Sequence, residues 1–287
     1  MSKTSVVVPG KEVRPPVVAS HRELHSARGE WLSELWRYRE LLYFLAWRDV
    51  KVRYKQAFLG AAWAIIQPLL SMIIFTIFFG GLAHVPSDGV PYPVFSYCAL
   101  VPWIYFSGTV SLAGNSLISN ANLITKVYFP RVLLPLAAAL SGLLDFAIGS
   151  VFLVAMLIYY RIAPGWTLLL LPVFILGMVT FAFAVSMLLA ALNVRFRDVK
   201  YAIPFLVQIW LFVTPVIYPT TFLPKRFQAL LALNPMAGIV EGIRTCFFPS
   251  RNLDFKVIGI SAAVTLITLA LSITYFHKTE RTFADIV

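Results

Sequence analysis

The stretch QAFLGAAWAIIQPLLSMIIFTIFFGGLAHVPS, residues 56–87, contains no Asp, Glu, Lys or Arg. An α-helix rises about 1.5 Å per residue, so about 20 apolar residues are enough to cross the hydrocarbon core of a bilayer. The stretch is therefore long enough to predict a membrane-spanning helix.

The same pattern recurs along the rest of the chain. Hydrophobic residues make up 59% of the sequence and charged residues 13%, with a mean hydropathy of +0.80. A soluble domain could not cover its core with so little polar surface. We therefore predict an all-α integral membrane protein with six spanning helices, at about residues 58–82, 94–117, 132–160, 166–192, 201–219 and 257–276.

Basic residues near the predicted helix ends set the orientation. They cluster before the first span, between spans two and three, between spans four and five, and after the last span. Because cytoplasmic loops carry the excess of Lys and Arg, we expect a plasma-membrane protein, in a bacterium the inner membrane, with both termini cytoplasmic. Residues 220–256 do not follow this rule, since they are basic and yet would lie on the outer side of the membrane if the protein has six spans. The net charge of +11 is assigned to contact with membrane lipids, not to nucleic acid.

The chain is predicted to have three parts. Residues 1–30 are polar and contain prolines, without an apolar core followed by a cleavage site, so they predict a flexible cytoplasmic tail and not a signal peptide. Residues 31–50 form an amphipathic segment, and residues 51–287 form one six-span domain.

The amphipathic segment begins with WLSELWRYRELLYFLAW, residues 31–47. On a helix, Trp31 and Trp36 fall in one apolar arc and Arg37 lies opposite, while Arg39 lies inside the arc, where its stem can snorkel. Such a pattern is typical of a helix lying in the membrane interface. The alternative is a plain juxtamembrane extension of the first span.

A second irregular segment, FQALLALNPMAGIVEGI (residues 227–243), is apolar but too short to span. Asn234-Pro235 breaks it, because proline lacks an N–H and disfavours helix in the residue before it. We predict a re-entrant pair of short helices between spans five and six, with Asn234 capping the second helix and Glu241 near Arg244 at the rim of an outer gate. The alternative is a helical hairpin on the outer surface.

Chemistry-bearing residues are sparse. The histidines lie outside the predicted spans, Cys98 and Cys246 have no metal-ligand spacing, and no glycine-rich phosphate loop is present. We expect no metal, no cofactor and no catalytic site in this chain. Asp145, the one ionisable residue deep in a span, indicates a cavity, a partner or a pathway; the alternative is a carboxyl group that fixes helix packing, with Ser141 or Ser150.

Aromatic residues make up 15% of the chain. Their flat rings suit the faces of sugars, although packing against lipid explains any one of them equally well. The candidates for a sugar pathway are Trp63, Phe75, Phe78, Trp103, Tyr105, Phe106 and Trp210.

The segment NANLITKVYFPR, residues 120–131, separates spans two and three. It predicts a short surface helix that starts after Asn120, exposes Lys126 and is stopped by Pro130. Joined to two spans, such a helix would convert a push from a cytosolic partner into tilting of those spans.

Several motifs resemble one family of membrane proteins, the polysaccharide-exporting ABC permeases of O-antigen, capsule and teichoic-acid systems. They run in that family's order over about residues 31–285: WRDVKVRYKQAFLGAAWAIIQPLL (47–70), NSLISNANLITKVYFPRVLLPLA (115–137), LNVRFRDVKYAIPFLVQIWLFVTPVIYP (192–219), LNPMAGIVEGIR (233–244) and ERTFAD (280–285).

The resemblance implies a homodimer of channel-forming subunits, moving a lipid-linked polysaccharide outward. Two cytosolic ABC ATPase subunits would bind the ATP and Mg. It places the residues that couple to the ATPase in two loops: Asn120, Asn122, Leu123, Lys126, Phe129, Arg131, Arg197 and Asp198. Two other classes stay open, a secondary transporter that couples Asp145 to protons and an intramembrane glycan- or lipid-modifying enzyme.

Overall fold

A computed structural model describes residues 36–55, 60–196, 198–248 and 253–280. Some predictions fall outside these ranges, namely those on residues 1–35 with Trp31, on Arg197 and on residues 281–287. The chain forms two units, Met1–Arg37 and Tyr38–Val287. In the first unit, the described side chains of Trp36 and Arg37 are both exposed.

Helices account for most of the described residues of the second unit. The α-helices there are α1 (Arg39–Lys55), α2 (Trp63–Phe75), α3 (Tyr92–Gly114), α4 (Ser116–Ser119), α5 (Ala121–Lys126), α6 (Leu133–Tyr159), α7 (Leu171–Arg195), α8 (Val199–Val213), α9 (Lys225–Leu231), α10 (Pro235–Phe247) and α11 (Phe255–Glu280). A π-helical segment, Thr76–Leu82, continues α2, and the 3₁₀ turns are Gly60–Ala62, Trp166–Leu170 and Thr220–Phe222.

Among the described residues, 5 helices are long and apolar enough to cross a membrane: Trp63–Leu82, Tyr92–Gly114, Leu133–Tyr159, Trp166–Arg195 and Phe255–Glu280. Each overlaps one predicted span.

The remaining predicted span, 201–219, coincides with α8, which is apolar but has only 15 residues. The expectation of a helix running to residue 219 is wrong. Thr214 takes an extended conformation (φ −93°, ψ 137°), because the proline that follows it disfavours the helical region.

Helix α3 forms the centre of the second unit. In its spanning window 78% of the residues are buried, compared with 11% for α2 and its π-helical extension. Helix α3 packs against α2, α6, α7, α8 and α10. Gly142 of α6 allows a close approach, since a Cβ there would lie 3.3 Å from the ring of Tyr105. Because so little of α2 is buried within the subunit, its apolar faces are left to contact lipid or another protein.

Helix α1 packs along α6 and buries Leu45 in the contact. It leaves Tyr43, Phe44 and Trp47 exposed. Gly60, which precedes α2, has a φ of +45° that would strain a residue with a side chain. The residues that connect α1 to Gly60 lie outside the described ranges.

Candidate functional site

The loop between α3 and α6 contains the short helix predicted from the sequence. Helix α5 begins directly after Asn120 and ends at Lys126. The helix therefore stops earlier than expected, before Pro130 is reached. Asn122 and Lys126 are exposed, and Leu123 is half-buried.

The end of this loop is fixed to the rest of the subunit. Phe129 is buried, and the backbone N–H of Arg131 donates to the carboxylate of Glu280 at 3.1 Å. The Arg131 guanidinium also donates to the backbone carbonyl of Glu280. Directly before these anchors, Tyr128 is 80% exposed. The exposed residues of this loop thus include Asn122, Lys126 and Tyr128, and Tyr128 was not among the predicted coupling residues.

The second predicted coupling loop lies next to the first. Asn193, near the end of α7, is fully buried and donates to the carbonyl of Gly114 at 3.0 Å and to Oδ1 of Asn115 at 2.9 Å. Asp198, just before α8, is exposed. The buried amide therefore holds the ends of α3 and α7 together, so that both loops belong to one surface.

Asp145 of α6 has partners from α1. Arg53 donates to its Oδ2, and the hydroxyl of Tyr54 donates to its Oδ1. Ser141 and Ser150, the partners considered in the alternative of a packing carboxyl, instead donate to carbonyls of their own helix. Two adjacent residues of α1 thus occupy both oxygens of the carboxylate, and this is the polar contact between α1 and the middle of α6.

The ion pair lines a cavity of about 600 Å³ between α1, α2, α3 and α6. Its lining includes Trp63 and Tyr105, two of the predicted sugar-pathway residues. The polar members that sequence reasoning missed are Arg53, Tyr54, Gln67, Ser107, Thr109 and Ser111. A basic residue at the start of the first span was a signal for Arg53, because an intramembrane carboxylate is usually paired.

Most of the other candidate pathway aromatics are packing residues. Trp103 and Phe106 are buried. The ring of Phe106 stacks on Phe181 with centroids 5.5 Å apart and meets Trp210 edge-on at 5.1 Å. These rings hold α3, α7 and α8 together, with Trp103 and Phe106 buried and Trp210 half-buried.

The aromatic residues of α2 and its π-helical extension are more exposed than those of α3. Trp63 is 51% exposed and Phe78 is 56% exposed, whereas Phe75 packs edge-on against Phe79. Helix α2 and its π-helical extension therefore carry the exposed part of the predicted aromatic set.

On the opposite side of the apolar helices, α9 and α10 meet at Asn234-Pro235. Oδ1 of Asn234 accepts from the N–H of Met236, which is the predicted N-cap of α10. The same oxygen accepts from Nε1 of Trp210 at 3.0 Å, and Nδ2 donates to Oγ1 of Thr214 at 3.0 Å. One amide side chain thus ties the break between the two short helices to the end of α8.

Arg244 was expected at the rim of the outer gate, and that expectation is wrong. Its side chain is 0% exposed. The guanidinium donates to the carbonyls of Pro215 at 2.5 Å, Val216 at 2.8 Å and Phe95 at 3.4 Å, and it lies 3.7 Å from the centre of the Phe95 ring. The predicted partner Glu241 is 3.7 Å away. Arg244 therefore joins α10 to α3 and to the chain beyond α8.

Comparison with known proteins places these features in a family. The family model for the ABC-2 type transporter matches residues 40–248. The O-antigen export system permease protein RfbA of Myxococcus xanthus is 32% identical, over 88% of this chain and 97% of that protein. The protein of the same name from Klebsiella pneumoniae is 29% identical, over 86% of this chain and 95% of its own length. The polysialic acid transport protein KpsM of Escherichia coli is 21% identical, over 81% of this chain and 91% of its own length. The matched region includes both loops, the Asp145 cavity and the α9–α10 pair, and the chain belongs to the ABC-2 type transporter family.

Proposed function

We propose that this chain is the membrane-spanning permease subunit of an ATP-driven exporter that moves a lipid-linked polysaccharide outward across the bacterial inner membrane. The observation that carries the proposal is the match to permeases named for O-antigen export over nearly their full length. A capsule-type or teichoic-acid-type polysaccharide fits the same argument, since a polysialic acid transport protein is also similar.

The alternative of a proton-coupled transporter has less support. Such a mechanism needs a carboxyl group that exchanges protons during transport. Asp145 instead accepts from Arg53 and Tyr54 at the same time. A carboxylate whose two oxygens are both held by donors from a neighbouring helix suits a fixed contact between the two helices.

We propose six spans, of which α8 and the extended residues after it form the fifth. In this topology α1 lies in the cytoplasmic interface, the termini are cytoplasmic, and α9 and α10 form a re-entrant pair near the outer side. The bonds from Asn234 to Trp210 and Thr214 support re-entry, because they fix the break between the short helices against a spanning helix. Non-helical backbone at membrane depth is tolerated where protein shelters it.

The ATP chemistry would belong to two separate cytosolic ABC ATPase subunits, which bind ATP and Mg and dock on a homodimer of this chain. The exposed Asn122, Lys126, Tyr128 and Asp198 offer a docking surface on the loops that join the spanning helices. A second copy would cover part of α2, whose exposed Trp63 and Phe78 are then candidates for the sugar pathway.

The test is gene deletion with complementation in the native bacterium. Deletion should remove the polysaccharide from the cell surface and leave it in the cytoplasm in lipid-linked form, as measured by surface labelling and by lipid extraction. The tagged protein should copurify with an ABC ATPase in mild detergent. Normal surface polysaccharide in the deletion strain would overturn the proposal, as would export that continues after the ATPase partner is inactivated.

A further inference from the structure

The cavity beside Asp145 has both polar and apolar lining residues. The polar lining includes Arg53, Tyr54, Gln67 and Asp145, and the apolar lining includes Pro68 and Phe146. The helices on either side of it, α2 and α6, expose apolar side chains: Leu70, Ile73 and Ile74 on α2, and Leu140, Leu144 and Val151 on α6. The cavity is therefore amphipathic, like the boundary between a lipid head group and its chains.

Two of the polar lining residues, Arg53 and Gln67, have hydrogen-bond donors that are not used within the described part of the chain. Arg53 gives one nitrogen, Nη1, to Asp145 and makes no other hydrogen bond within the described part of the chain. A guanidinium has five N–H donors, so most of them stay available beside the cavity. The side-chain amide of Gln67 likewise makes no hydrogen bond to another described residue.

The net positive charge of α1, next to the cavity, favours binding of an anion. Within α1 the basic residues are Arg39, Arg48, Lys51, Arg53 and Lys55, and the acidic residues are Glu40 and Asp49, which leaves a helix net charge of +3. Asp145 neutralises one of these charges and holds the Arg53 side chain in place. Arginine binds phosphate through paired N–H donors, and basic pockets between membrane helices bind lipid head groups.

We propose that the cavity binds the phosphate head group of an amphipathic membrane lipid, with Arg53 and Gln67 as the donors and Asp145 as the residue that positions Arg53. Two sources share this chemistry, a phospholipid of the bilayer and a polyprenyl phosphate of the kind that can carry a glycan. Only the second source rests on the proposed function.

The test is native mass spectrometry on the purified full-length protein, titrated separately with dioleoyl phosphatidylglycerol, dioleoyl phosphatidylethanolamine, undecaprenyl phosphate and dioleoylglycerol. We expect retention of a lipid that carries phosphate and loss of dioleoylglycerol. Phospholipid retained without undecaprenyl phosphate identifies a bilayer lipid. Undecaprenyl phosphate retained alone identifies the substrate anchor, and retention of both identifies a general phosphate site. Equal retention of dioleoylglycerol would overturn the proposal.

Four variants connect the binding to the cavity. Arg53→Gln should weaken retention about ten-fold, whereas Lys51→Gln, which removes an equal charge from an exposed position on the same helix, should change it less than two-fold. Gly108→Phe should weaken retention similarly by filling the cavity, because a Cβ at Gly108 meets no atom within 4 Å. Gly259→Phe is the matched control, since Gly259 has the same open surroundings but lies on α11, away from the cavity.

Gly108→Phe leaves the Arg53–Asp145 pair intact, so it tests the site even if Arg53→Gln lowers the yield of folded protein. Retention unchanged in Gly108→Phe, or lowered equally by Lys51→Gln and Arg53→Gln, would overturn the proposal. An export defect in the deletion strain is measured separately. A failure of lipid binding therefore would not overturn the proposed transport function, and a failure of transport would not overturn the lipid-binding result.

Discussion

Replacing Arg244 by methionine should destabilise the protein more than almost any other single change. Methionine fills a similar volume but donates no hydrogen bond. The carbonyls of Pro215 and Val216 would lose donors now at 2.5 and 2.8 Å. Each buried group left without its partner costs about 1–3 kcal/mol. The cation–π contact with Phe95, at 3.7 Å, adds roughly 1–2 kcal/mol when it is desolvated.

Because methionine regains some apolar contact, the expected net loss is about 3–5 kcal/mol, the range found for breaking a buried ionic contact. For a protein of this size each kcal/mol shifts Tm by about 2–4 °C, so Tm should fall by roughly 10 °C. The assay is thermal unfolding of the detergent-purified protein, followed by tryptophan fluorescence and by recovery of the monodisperse species. Arg244→Lys keeps the charge but loses the forked donor. Its Tm should lie between those of the unmodified protein and Arg244→Met.

Arg226→Met is the matched control, because Arg226 is exposed on α9 in the same part of the chain. Its Tm should stay within about 2 °C of the unmodified protein, since surface changes usually alter stability by less than about 0.5 kcal/mol. If Arg244→Met unfolds at the temperature of this control, the guanidinium does not hold the chain beyond α8, and the reasoning fails.

Three further predictions follow from the other contacts. Arg53→Met and Asp145→Leu should each lower Tm, whereas the double variant should recover most of the loss, because an apolar pair can replace an ion pair that is partly buried between helices; additive losses would contradict a direct pair. Tyr128→Ala should leave the permease folded but lower ATPase-driven export at least several-fold in the complemented strain, and unchanged export would remove Tyr128 from the docking surface. With Cys98 and Cys246 replaced, a cysteine at Arg226 should react quickly with an impermeant thiol reagent from outside, and one at Ala232, which is 1% exposed, should react slowly; equal rates would favour a surface hairpin.

Sequence patterns predicted the spanning helices because apolar length is a local property of the chain. The long uncharged windows correspond to α2, α3, α6, α7 and α11. The N-cap at Asn234 was also predictable, since it depends on residues two positions apart. The end of α8 was harder to predict, because neighbouring groups sometimes accommodate a proline within a membrane helix. Pro204 lies inside α8, whereas Pro215 follows its end.

The side-chain partners could not be read from the sequence, because they are distant along the chain. Arg53 and Asp145 are 92 positions apart, and Arg244 lies 149 positions from Phe95. The packing of the aromatic residues could not be read from the sequence for another reason. Composition does not tell which side of a helix faces its neighbours, and α3 is packed on so many sides that Trp103 and Phe106 turn inward.

The buried Arg244 and the break after α8 explain each other. Where a helix ends, the carbonyls of the non-helical residues that follow have no partner in a next turn, and in an apolar environment water does not supply one. Val213 is the last residue of α8, and the carbonyls of Pro215 and Val216 point to the guanidinium instead of to a continuing helix. A cation buried among apolar helices is costly unless polar groups surround it. The unwound segment provides the acceptors that Arg244 needs, and Arg244 provides the donors that the segment lacks, so removing either one leaves the other unsatisfied.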